Sequence, residues 1–557
     1  MVNDYANVKR ITPWILATLS GVLLRLSYAP WHEASMAWFA FVPLLVAVRG
    51  AASWKRAFGL GMAGGGVFWL SSLAWFWRLI ENGGPWPLVA LGFVGLSAYC
   101  AFYTAVFCII AWRILVGADL CVRPDGQGAH TGAPLRNVRW WGAVKDLGAA
   151  VAGTVAWVGL EWVRATFLTG FAWNHLGVSQ VTNTAVIQVA SLGGGYAVSA
   201  VVIFVNLVLA GFFRRMWHSV TGRHVSRWNV DVFAALCVLA AVLVWGRNEI
   251  NRWDRHAAES AYLTVAGVQA DTPSIFEKTD DSAHAALERF AERTDFFAVL
   301  SPDIVIWPET VGNAWDPAMM GTAFAQAKRA GCPLLVGMLD AGGTNTWSRR
   351  VEDTMPNIEL ANASLLIGTN RTITARYWKQ HLVPFGEFIP GDRLFPILER
   401  LAPVGFSCEF GRSNVLMRVK GVALSPLICF EDTVSGLARR AVREGAQLLV
   451  NQSNDAWFAN SSEGRQHHDQ AVFRAVENRT PLVRVSNTGV SGIIDPVGRF
   501  GDNSAYFCAP VAARAHDWPL SPYTRYGDWL FAIPCALLTA LGVWRCRIFC
   551  RTVTPSG

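Results

Sequence analysis

The sequence predicts two structural classes in one chain: an α-helical membrane domain of about eight spans, and an α/β domain. Of the 557 residues, 52% are hydrophobic and only 16% are charged, which is too apolar for an ordinary soluble enzyme. Long apolar runs fill the first half and return near the end, whereas the stretch between them alternates short apolar runs with amphipathic ones. We therefore expect a membrane domain at 1–246, an α/β domain at 247–526, and a last span with a tail at 527–557.

Eight apolar runs are the candidate membrane spans. The fourth and sixth exceed one bilayer crossing and are expected to tilt or to extend past it, and the second is short. The first could be a cleavable signal peptide, but a retained helix is favoured because further spans follow it. The runs cover residues 11–28, 37–48, 57–77, 87–116, 147–163, 185–213, 232–245 and 529–544.

The distribution of Lys and Arg between the loops predicts the orientation. Alternate loops carry seventeen basic residues, and the opposite loops carry only Arg25, Arg78 and Arg164. Since cytoplasmic loops are enriched in Lys and Arg, both termini are expected in the cytoplasm. Residues 247–528 then lie on the other side of the membrane, which is the periplasm in a bacterium with two membranes. The loop at 117–146 is rich in Gly, Pro and Arg and is interpreted as a cytoplasmic linker.

The net charge of +8 does not indicate a nucleic-acid partner, because the basic residues are spread over short loops and form no nucleic-acid motif. The eleven cysteines show no metal-binding spacing. In the polar half, a disulfide among Cys332, Cys408 and Cys508 is possible, and the sequence does not decide it.

The polar half alternates predicted strands with predicted helices, which indicates an α/β fold. No GxGxxG motif follows a strand, so a dinucleotide-binding domain has little support. The strands are predicted at 261–268, 303–307, 333–338, 363–367, 422–428, 447–451, 482–485 and 492–494, and the helices at 282–299, 318–330, 435–444 and 465–478.

Three stretches of this half end in residues that carry chemistry. Glu309 closes the run DIVIWPE, Lys379 stands beside aromatic residues in YWKQHLVPFGEF, and Cys429 ends the buried run LSPLIC. A carboxylate, a cation and a thiol supply a base, an oxyanion stabiliser and a nucleophile. A thiol just ahead of a helix N-terminus also lies in a positive field that favours thiolate.

At these residues the chain resembles the nitrilase superfamily of carbon–nitrogen hydrolases, and within it the apolipoprotein N-acyltransferase family. The similarity includes PET after a strand, KxHLVPFGEF, ICFE, NDAWF at 454–458, RAVENR at 474–479 and SNTG at 486–489. It covers nearly the whole chain, including the membrane segments. It implies an αββα sandwich at 247–526, in which two β-sheets pack face to face with helices outside. The strand periodicity alone does not separate this sandwich from a Rossmann-like sheet.

The resemblance implies a reaction. An acyl chain would pass from a membrane phospholipid to Cys429 as a thioester, and then to the N-terminal amine of an S-diacylglyceryl-cysteine apolipoprotein. Glu309 would act as base and acid, which requires a carboxyl pKa raised by burial. Lys379 would stabilise the oxyanion and must stay cationic.

Five further residues are candidates for substrate contact or support. The resemblance implies that Glu387 supports Lys379 and Glu309. Glu431 could instead cap the helix that follows. Phe430 replaces a Tyr common in relatives, so a hydrogen bond from that hydroxyl does not transfer. Trp457 and Phe458 resemble a loop that gates the substrate, and the alternative is an anchor burying aromatic area.

No metal and no cofactor are expected, since His467 and His468 lack partner ligands at fitting spacing. The partners are the bilayer, the phospholipid donor and the apolipoprotein acceptor, and we expect a monomer. Two rival functions are a membrane-tethered amidase or nitrilase-type hydrolase with the same triad, and a non-enzymatic scaffold or transporter. The apolar segment at 393–406 is interpreted as a loop on the bilayer surface that guards lipid access. Replacing Leu394, Phe395 and Phe406 by Ser should therefore slow phospholipid use.

Overall fold

The computed structural model describes most of the chain and divides it into two compact units. The first unit comprises Met1–Ala74, Leu91–Asn248 and Tyr526–Gly557, and the second comprises Trp75–Ala90 and Glu249–Arg525. The segment Trp75–Ala90 was assigned from sequence to the membrane domain, but it groups with the second unit. The domain limits at residues 246 and 526 stay a prediction. The described residues are 2–120, 136–221, 229–272, 280–341, 360–389, 407–458, 461–501 and 506–552.

The first unit is helical. Its helices follow the apolar runs of the sequence, because a backbone in lipid must satisfy its hydrogen bonds within each segment. Two helices, Trp86–Leu120 and Val230–Glu259, extend from this unit into residues of the second. The α-helices with residues in this unit are Val2–Leu26, Ala34–Ala37, Val42–Arg49, Trp54–Ser72, Trp86–Leu120, Arg136–Thr166, Thr184–Ile187, Ala190–Gly193, Gly195–Val220, Val230–Glu259 and Ala532–Thr552.

The predicted count of eight spans is not confirmed. Within the described residues, four helices are long and apolar enough to cross a membrane, or five if the bent pair beginning at Trp54 counts as one span. The four are Trp86–Leu115, Gly195–Val220, Val230–Glu259 and Pro522–Val543.

Two predicted runs are interrupted, and the backbone gives the reason. The run at 185–213 is broken before Gly195–Val220, where Gly194 adopts φ +71°, a left-handed conformation that ends a helix. The run at 37–48 contains only the eight-residue helix Val42–Arg49 after a short turn. At about 1.5 Å per residue this helix is far shorter than a bilayer core of about 30 Å.

The second unit contains two β-sheets. The first has seven strands in the order β13-β1-β2-β4-β5-β6, with β3 paired to β4, and the second has six in the order β12-β11-β10-β9-β8-β7. The strands are β1 Tyr262–Val268, β2 Ile304–Ile306, β3 Gly312–Asn313, β4 Leu334–Asp340, β5 Ala361–Ile367, β6 Ile373–Trp378, β7 Met417–Val419, β8 Val422–Ile428, β9 Leu448–Ser453, β10 Leu482–Ser486, β11 Gly492–Ile494, β12 Phe500–Gly501 and β13 Tyr506–Ala512.

One apolar core joins the two sheets. Val265 and Ile306 of the first sheet belong to the same buried cluster as Leu424 and Val450 of the second. A separate cluster packs the other face of the first sheet against helices, with Phe290 and Met320 among its members. This arrangement agrees with the predicted nitrilase-like α/β fold. The α-helices of the unit are Arg78–Glu81, Asp280–Ala298, Pro317–Ala330, Ser435–Arg443, Glu463–Asn478 and Pro522–Tyr526.

Five strands, β3, β6, β7, β12 and β13, were missed in the sequence. The strand β6 carries Thr and Arg at alternate positions and lies at the edge of its sheet, so it has no continuous apolar run. The strand β13 contains Pro510, a residue that sheets accept at an edge, and it forms the opposite edge of the same sheet.

Candidate active site

Glu309 lies three residues beyond the end of β2, as the sequence predicted for a residue that closes a strand. Its carboxyl group is buried, with 6% of the residue exposed. The neighbouring strand β4 approaches closely at Gly337, whose N–H donates to the Pro308 carbonyl at 3.2 Å. A Cβ at Gly337 would lie 2.7 Å from the Glu309 Cα, so this position requires glycine. The approach of β4 fixes the backbone that presents Glu309.

Lys379 follows β6 directly, and its ammonium group lies between two carboxylates. The Nζ atom donates to Glu309 Oε1 at 3.1 Å and to Glu387 Oε1 at 2.9 Å. The lysine is only 1% exposed. The structure thus brings together Glu309, Lys379 and Glu387, which lie in two separate stretches of the sequence.

Asn362, on β5, is a site residue that the sequence analysis missed. Its Nδ2 atom donates to Glu309 Oε1 and to Glu387 Oε1, both at 2.7 Å. Its carbonyl accepts from the Lys379 N–H at 2.8 Å. An asparagine within a buried strand is unusual because its amide must find partners, and this was the signal available in the sequence.

Cys429 stands where β8 ends, in a strained backbone turn. Its φ of +50° lies in the left-handed region, which non-glycine residues seldom adopt and which is found often at functional sites. Its carbonyl accepts from Asn451 Nδ2 at 3.0 Å. A short 3₁₀ helix, Cys429–Thr433, separates this turn from the helix Ser435–Arg443. The sequence had suggested that the cysteine lies immediately ahead of the α-helix, and the structure shows that it does not.

The charges around the thiol also oppose the expected thiolate. Burial and the nearby Glu309 carboxylate raise the pKa of Cys429 well above its usual value, while the Lys379 charge acts in the opposite direction. Glu309 and Lys379 thus have opposite effects on the pKa of this thiol. Because the resting group is a thiol, it needs a base to become a nucleophile.

The carboxyl and ammonium groups of the site have the pKa directions that the proposed roles require. Burial raises the pKa of Glu309, although the Lys379 charge lowers it. Burial lowers the pKa of Lys379, but the carboxylates of Glu309 and Glu387 outweigh it and hold that pKa well above its usual value. The lysine therefore stays cationic, and the glutamate is a stronger base than an exposed one.

Glu431 is fully buried and does not cap the helix Ser435–Arg443, which corrects the expectation from sequence. Its carboxylate accepts from the N–H groups of Gln380 at 2.6 Å and His381 at 3.0 Å. It also accepts from the Ile428 N–H and from the Tyr377 hydroxyl, both at 2.8 Å. Burial raises its pKa to about 6. Glu431 therefore ties the segment after Lys379 to the turn of Cys429.

The aromatic candidates have partners of two kinds. The Phe430 ring stacks on His381, with centroids 5.8 Å apart. Trp457 and Phe458 are half-buried in the short 3₁₀ helix Asp455–Phe458. The Phe458 ring meets Trp75 edge-on at 4.7 Å, and the Trp457 carbonyl accepts from Asn82 Nδ2 at 2.6 Å. These contacts fit an anchor, and the predicted gating role stays a prediction.

His467 belongs to a buried cluster of charged residues. Asp455, Glu463 and His467 offer possible ligand atoms within 4.8 Å of one another. However, Arg484 Nη2 lies 3.0 Å from both Asp455 Oδ2 and His467 Nδ1, so a guanidinium already supplies positive charge there.

The segment 393–406, interpreted from sequence as a loop guarding lipid access, lies outside the described residues.

Comparison with known proteins covers both units. Residues 20–208 match the family model of the apolipoprotein N-acyltransferase N-terminal domain, and residues 264–503 match that of carbon–nitrogen hydrolase. An apolipoprotein N-acyltransferase of Geobacter metallireducens is 30% identical over 549 residues, covering 96% of this chain and 95% of the relative. One of Gloeobacter violaceus is 29% identical, covering 96% and 94%.

Among solved structures, Nit3 of Saccharomyces cerevisiae, a nitrilase-superfamily member, is 18% identical, with a TM-score of 0.34 over 45% of this chain and 90% of that chain. The family assignment rests instead on the two matching domain models and on the relatives that align over nearly the full length. The long apolar helices agree with these relatives in indicating a membrane-embedded bacterial acyltransferase. The chain belongs to the apolipoprotein N-acyltransferase family.

Proposed function

We propose that this protein transfers an acyl chain from a membrane phospholipid to the N-terminal amine of the S-diacylglyceryl-cysteine of apolipoproteins, through a thioester on Cys429. The observation that carries the proposal is the buried Lys379 ammonium, which donates to both Glu309 and Glu387. The charges of Lys379 and Glu309 also shift the pKa of the Cys429 thiol. The names of the relatives supply the class of acceptor.

In the first half-reaction, Glu309 removes the proton from the Cys429 thiol as sulfur attacks the ester carbonyl carbon of the phospholipid. The carbonyl oxygen gains the negative charge, and the cationic Lys379 stabilises it. Collapse of this intermediate breaks the ester C–O bond and forms the thioester. The proton on Glu309 passes to the departing glycerol oxygen, which leaves a lysophospholipid.

In the second half-reaction, Glu309 is again a carboxylate and accepts a proton from the incoming amine. The amine nitrogen attacks the thioester carbon, Lys379 stabilises the second oxyanion, and the C–S bond breaks. The proton on Glu309 passes to the departing sulfur, so the products are an amide on the apolipoprotein and the regenerated Cys429 thiol. Asn362 and Glu387 hold the acid–base pair in place, since they share hydrogen bonds with Glu309 and Lys379.

Water in place of the amine would turn the same chemistry into hydrolysis, the activity of a tethered amidase or nitrilase-type hydrolase. We favour the amine because the relatives that align over nearly the whole chain are named as acyltransferases. We further propose that the enzyme acts as a monomer in the inner membrane, with its catalytic domain in the periplasm and both termini in the cytoplasm. The distribution of basic loop residues supports this orientation.

Mass spectrometry of lipoprotein N-termini tests the proposal. Cells that depend on this chain for N-acylation should carry triacylated lipoproteins, and Cys429→Ala should leave them diacylated. Cys332→Ala, at a buried cysteine of the core beneath the helices, is the matched control and should preserve triacylation. Full triacylation with Cys429→Ala would refute the proposal. Release of free fatty acid without N-acylation by the purified wild-type enzyme would favour the hydrolase instead.

A further inference from the structure

Arg484, on β10, lies at the centre of the buried charge cluster of the second unit and is 0% exposed. Its Nη1 atom donates to Asp432 Oδ2 and to Asn451 Oδ1, both at 2.6 Å. Its Nη2 atom donates to Asp455 Oδ2 at 3.0 Å, and its Nε–H donates to the Val490 carbonyl at 3.1 Å. One guanidinium thus holds side chains from three different segments of the chain.

One side of this arrangement leads to the proposed nucleophile. Asn451 accepts from Arg484 through Oδ1, and its Nδ2 atom donates to the Cys429 carbonyl at 3.0 Å. Asp432, the other acceptor of Nη1, belongs to the same 3₁₀ helix that Cys429 begins. Because a non-glycine residue adopts a left-handed backbone only at a cost in free energy, the surrounding contacts must hold Cys429 in that conformation.

The other side leads to the aromatic turn Asp455–Phe458. Asp455 is its first residue, and the carboxylate also accepts from the Ser453 hydroxyl at 2.7 Å. A Cβ at Gly489 would lie 1.8 Å from Asp455 Oδ2, so a glycine at this position is what allows the carboxylate to sit there. The turn carries Trp457 and Phe458 two and three residues later.

The charged groups of the cluster shift one another's pKa values. Burial and the Arg484 charge lower the pKa of His467, but the carboxylates of Asp432 and Asp455 outweigh them and raise it to about 10. Burial raises the pKa of Glu463 to about 8, so this group is mostly protonated at pH 7. The planar fork of arginine fits several acceptors at once, which the point charge of lysine does not.

We infer that Arg484 is a positioning residue for the reaction: its guanidinium fixes the turn of Cys429 against the aromatic turn Asp455–Phe458. The inference rests on the proposed function only in taking Cys429 as the nucleophile. Among the contacts of the described residues, Arg484 makes none with the Cys429 thiol, Glu309 or Lys379. It therefore acts through Asn451, Asp432 and Asp455.

The test compares Arg484→Lys with Arg479→Lys in the full-length enzyme, using a fluorescent phospholipid in detergent micelles as acyl donor. Arg479 is also a buried arginine of the second unit, but it donates to the Pro496 carbonyl and pairs with Glu249. Acyl-enzyme formation is followed in single turnovers over a range of donor concentrations, and thermal unfolding is measured in parallel.

We expect Arg484→Lys to lower the maximal rate of acyl-enzyme formation by about 10- to 100-fold, because misplacement of a reacting group acts on the rate constant. The donor concentration at half-maximal rate should change less than about threefold. Arg479→Lys should leave both parameters near their wild-type values. If Arg484 had a merely structural role, Arg484→Lys would lower the folded fraction and the amount of acyl-enzyme formed, while the molecules that react would do so at the wild-type rate. That result would overturn the inference.

Asn451→Asp keeps the acceptor for Arg484 and removes the donor to the Cys429 carbonyl, so it tests the same link if Arg484→Lys does not fold. It should reproduce the loss of rate, and a wild-type rate would overturn the inference. Combining Asp455→Asn with Asn451→Asp gives a further check. Because both residues are partners of one guanidinium, their losses in the rate of acyl-enzyme formation should not be additive. Additive losses would contradict a shared role for Arg484.

Cys429→Ala separates the two proposals. If it is inactive while Arg484→Lys and Asn451→Asp react at wild-type rates, only the positioning role fails. If Cys429→Ala retains N-acylation, the proposed function fails first.

Discussion

Lys379 Nζ lies 3.1 Å from Glu309 Oε1, and both residues are almost completely buried. The cation reaches this position at the end of an edge strand, and the carboxylate follows a strand of the same sheet. A buried cation between two carboxylates is stable only while all three groups remain, because an uncompensated buried charge is costly. The pair therefore links the chemistry of the site to the stability of the fold.

Replacing Lys379 by Met should lower the rate of acyl-enzyme formation by about 10²- to 10³-fold, the usual cost of losing one oxyanion-stabilising group. The Lys379 charge lowers the pKa of Glu309, so without it this carboxyl group should stay protonated to higher pH. Lys420→Met is the control, since Lys420 is exposed and pairs with Asp303. A rate within threefold of wild type for Lys379→Met would contradict the assignment.

Asn362→Leu should shift the acid limb of the pH–rate profile to higher pH. The hydrogen bond from Asn362 lowers the pKa of Glu309, so its loss raises that pKa and keeps the base protonated over a wider range. The measurement is the rate of acyl-enzyme formation between pH 5 and pH 9. Asn370→Leu, in the exposed turn after β5, should leave the profile in place. An unshifted acid limb for Asn362→Leu would count against Glu309 as the titrating base.

Glu431→Gln should destabilise the fold by about 1–3 kcal/mol and slow acylation by about tenfold, because a neutral amide cannot accept from all four donors that the carboxylate satisfies. Urea unfolding and single-turnover kinetics measure the two effects. Glu444→Gln, at an exposed glutamate that accepts from Asn414, is the comparison and should change little. Wild-type stability in Glu431→Gln would show that these four hydrogen bonds do not join the two segments.

Glu463→Gln should flatten the dependence of stability on pH. The pKa of Glu463 is about 8 in the folded chain against a usual value of 4.5, so the folded state binds this proton more tightly than the unfolded state does. Stability contributed by this group is therefore present at low pH and lost as pH rises from about 4.5 to about 8. The variant should match wild type near pH 5 and unfold at a higher temperature near pH 8. Glu292→Gln, on an exposed helix face, should follow the wild-type curve.

Alkaline phosphatase fusions should report the orientation, because this reporter folds only outside the cytoplasm. A fusion after Glu259, at the end of the helix Val230–Glu259, is expected to be active. A fusion after Leu120, at the end of the helix Trp86–Leu120, is expected to be inactive. The opposite pattern would reverse the topology that the basic loops predict.

The sequence by itself determined the class of each part of the chain, and it supplied the residues that we propose carry the chemistry. Apolar runs and strand patterns depend on local composition, and so they identified the α/β domain and most of its strands without knowledge of the fold. The run before Cys429 and the carboxylate at Glu309 were recognisable for the same reason. The number of spans was not recognisable from the sequence, because the glycine-dependent break at Gly194 and the short helix Val42–Arg49 divide runs that look continuous.

Only the tertiary structure decided which side chains share the site. Asn362 contacts two carboxylates, Glu431 joins two loops, and Arg484 contacts both Asp432 and Asp455. Each of these side chains joins residues that are far apart in the chain. Burial also reversed the expectation for Cys429, since desolvation and Glu309 raise the pKa of a thiol that local sequence would place in a positive field. Such effects depend on packing between distant segments, and a residue pattern records only what lies near along the chain.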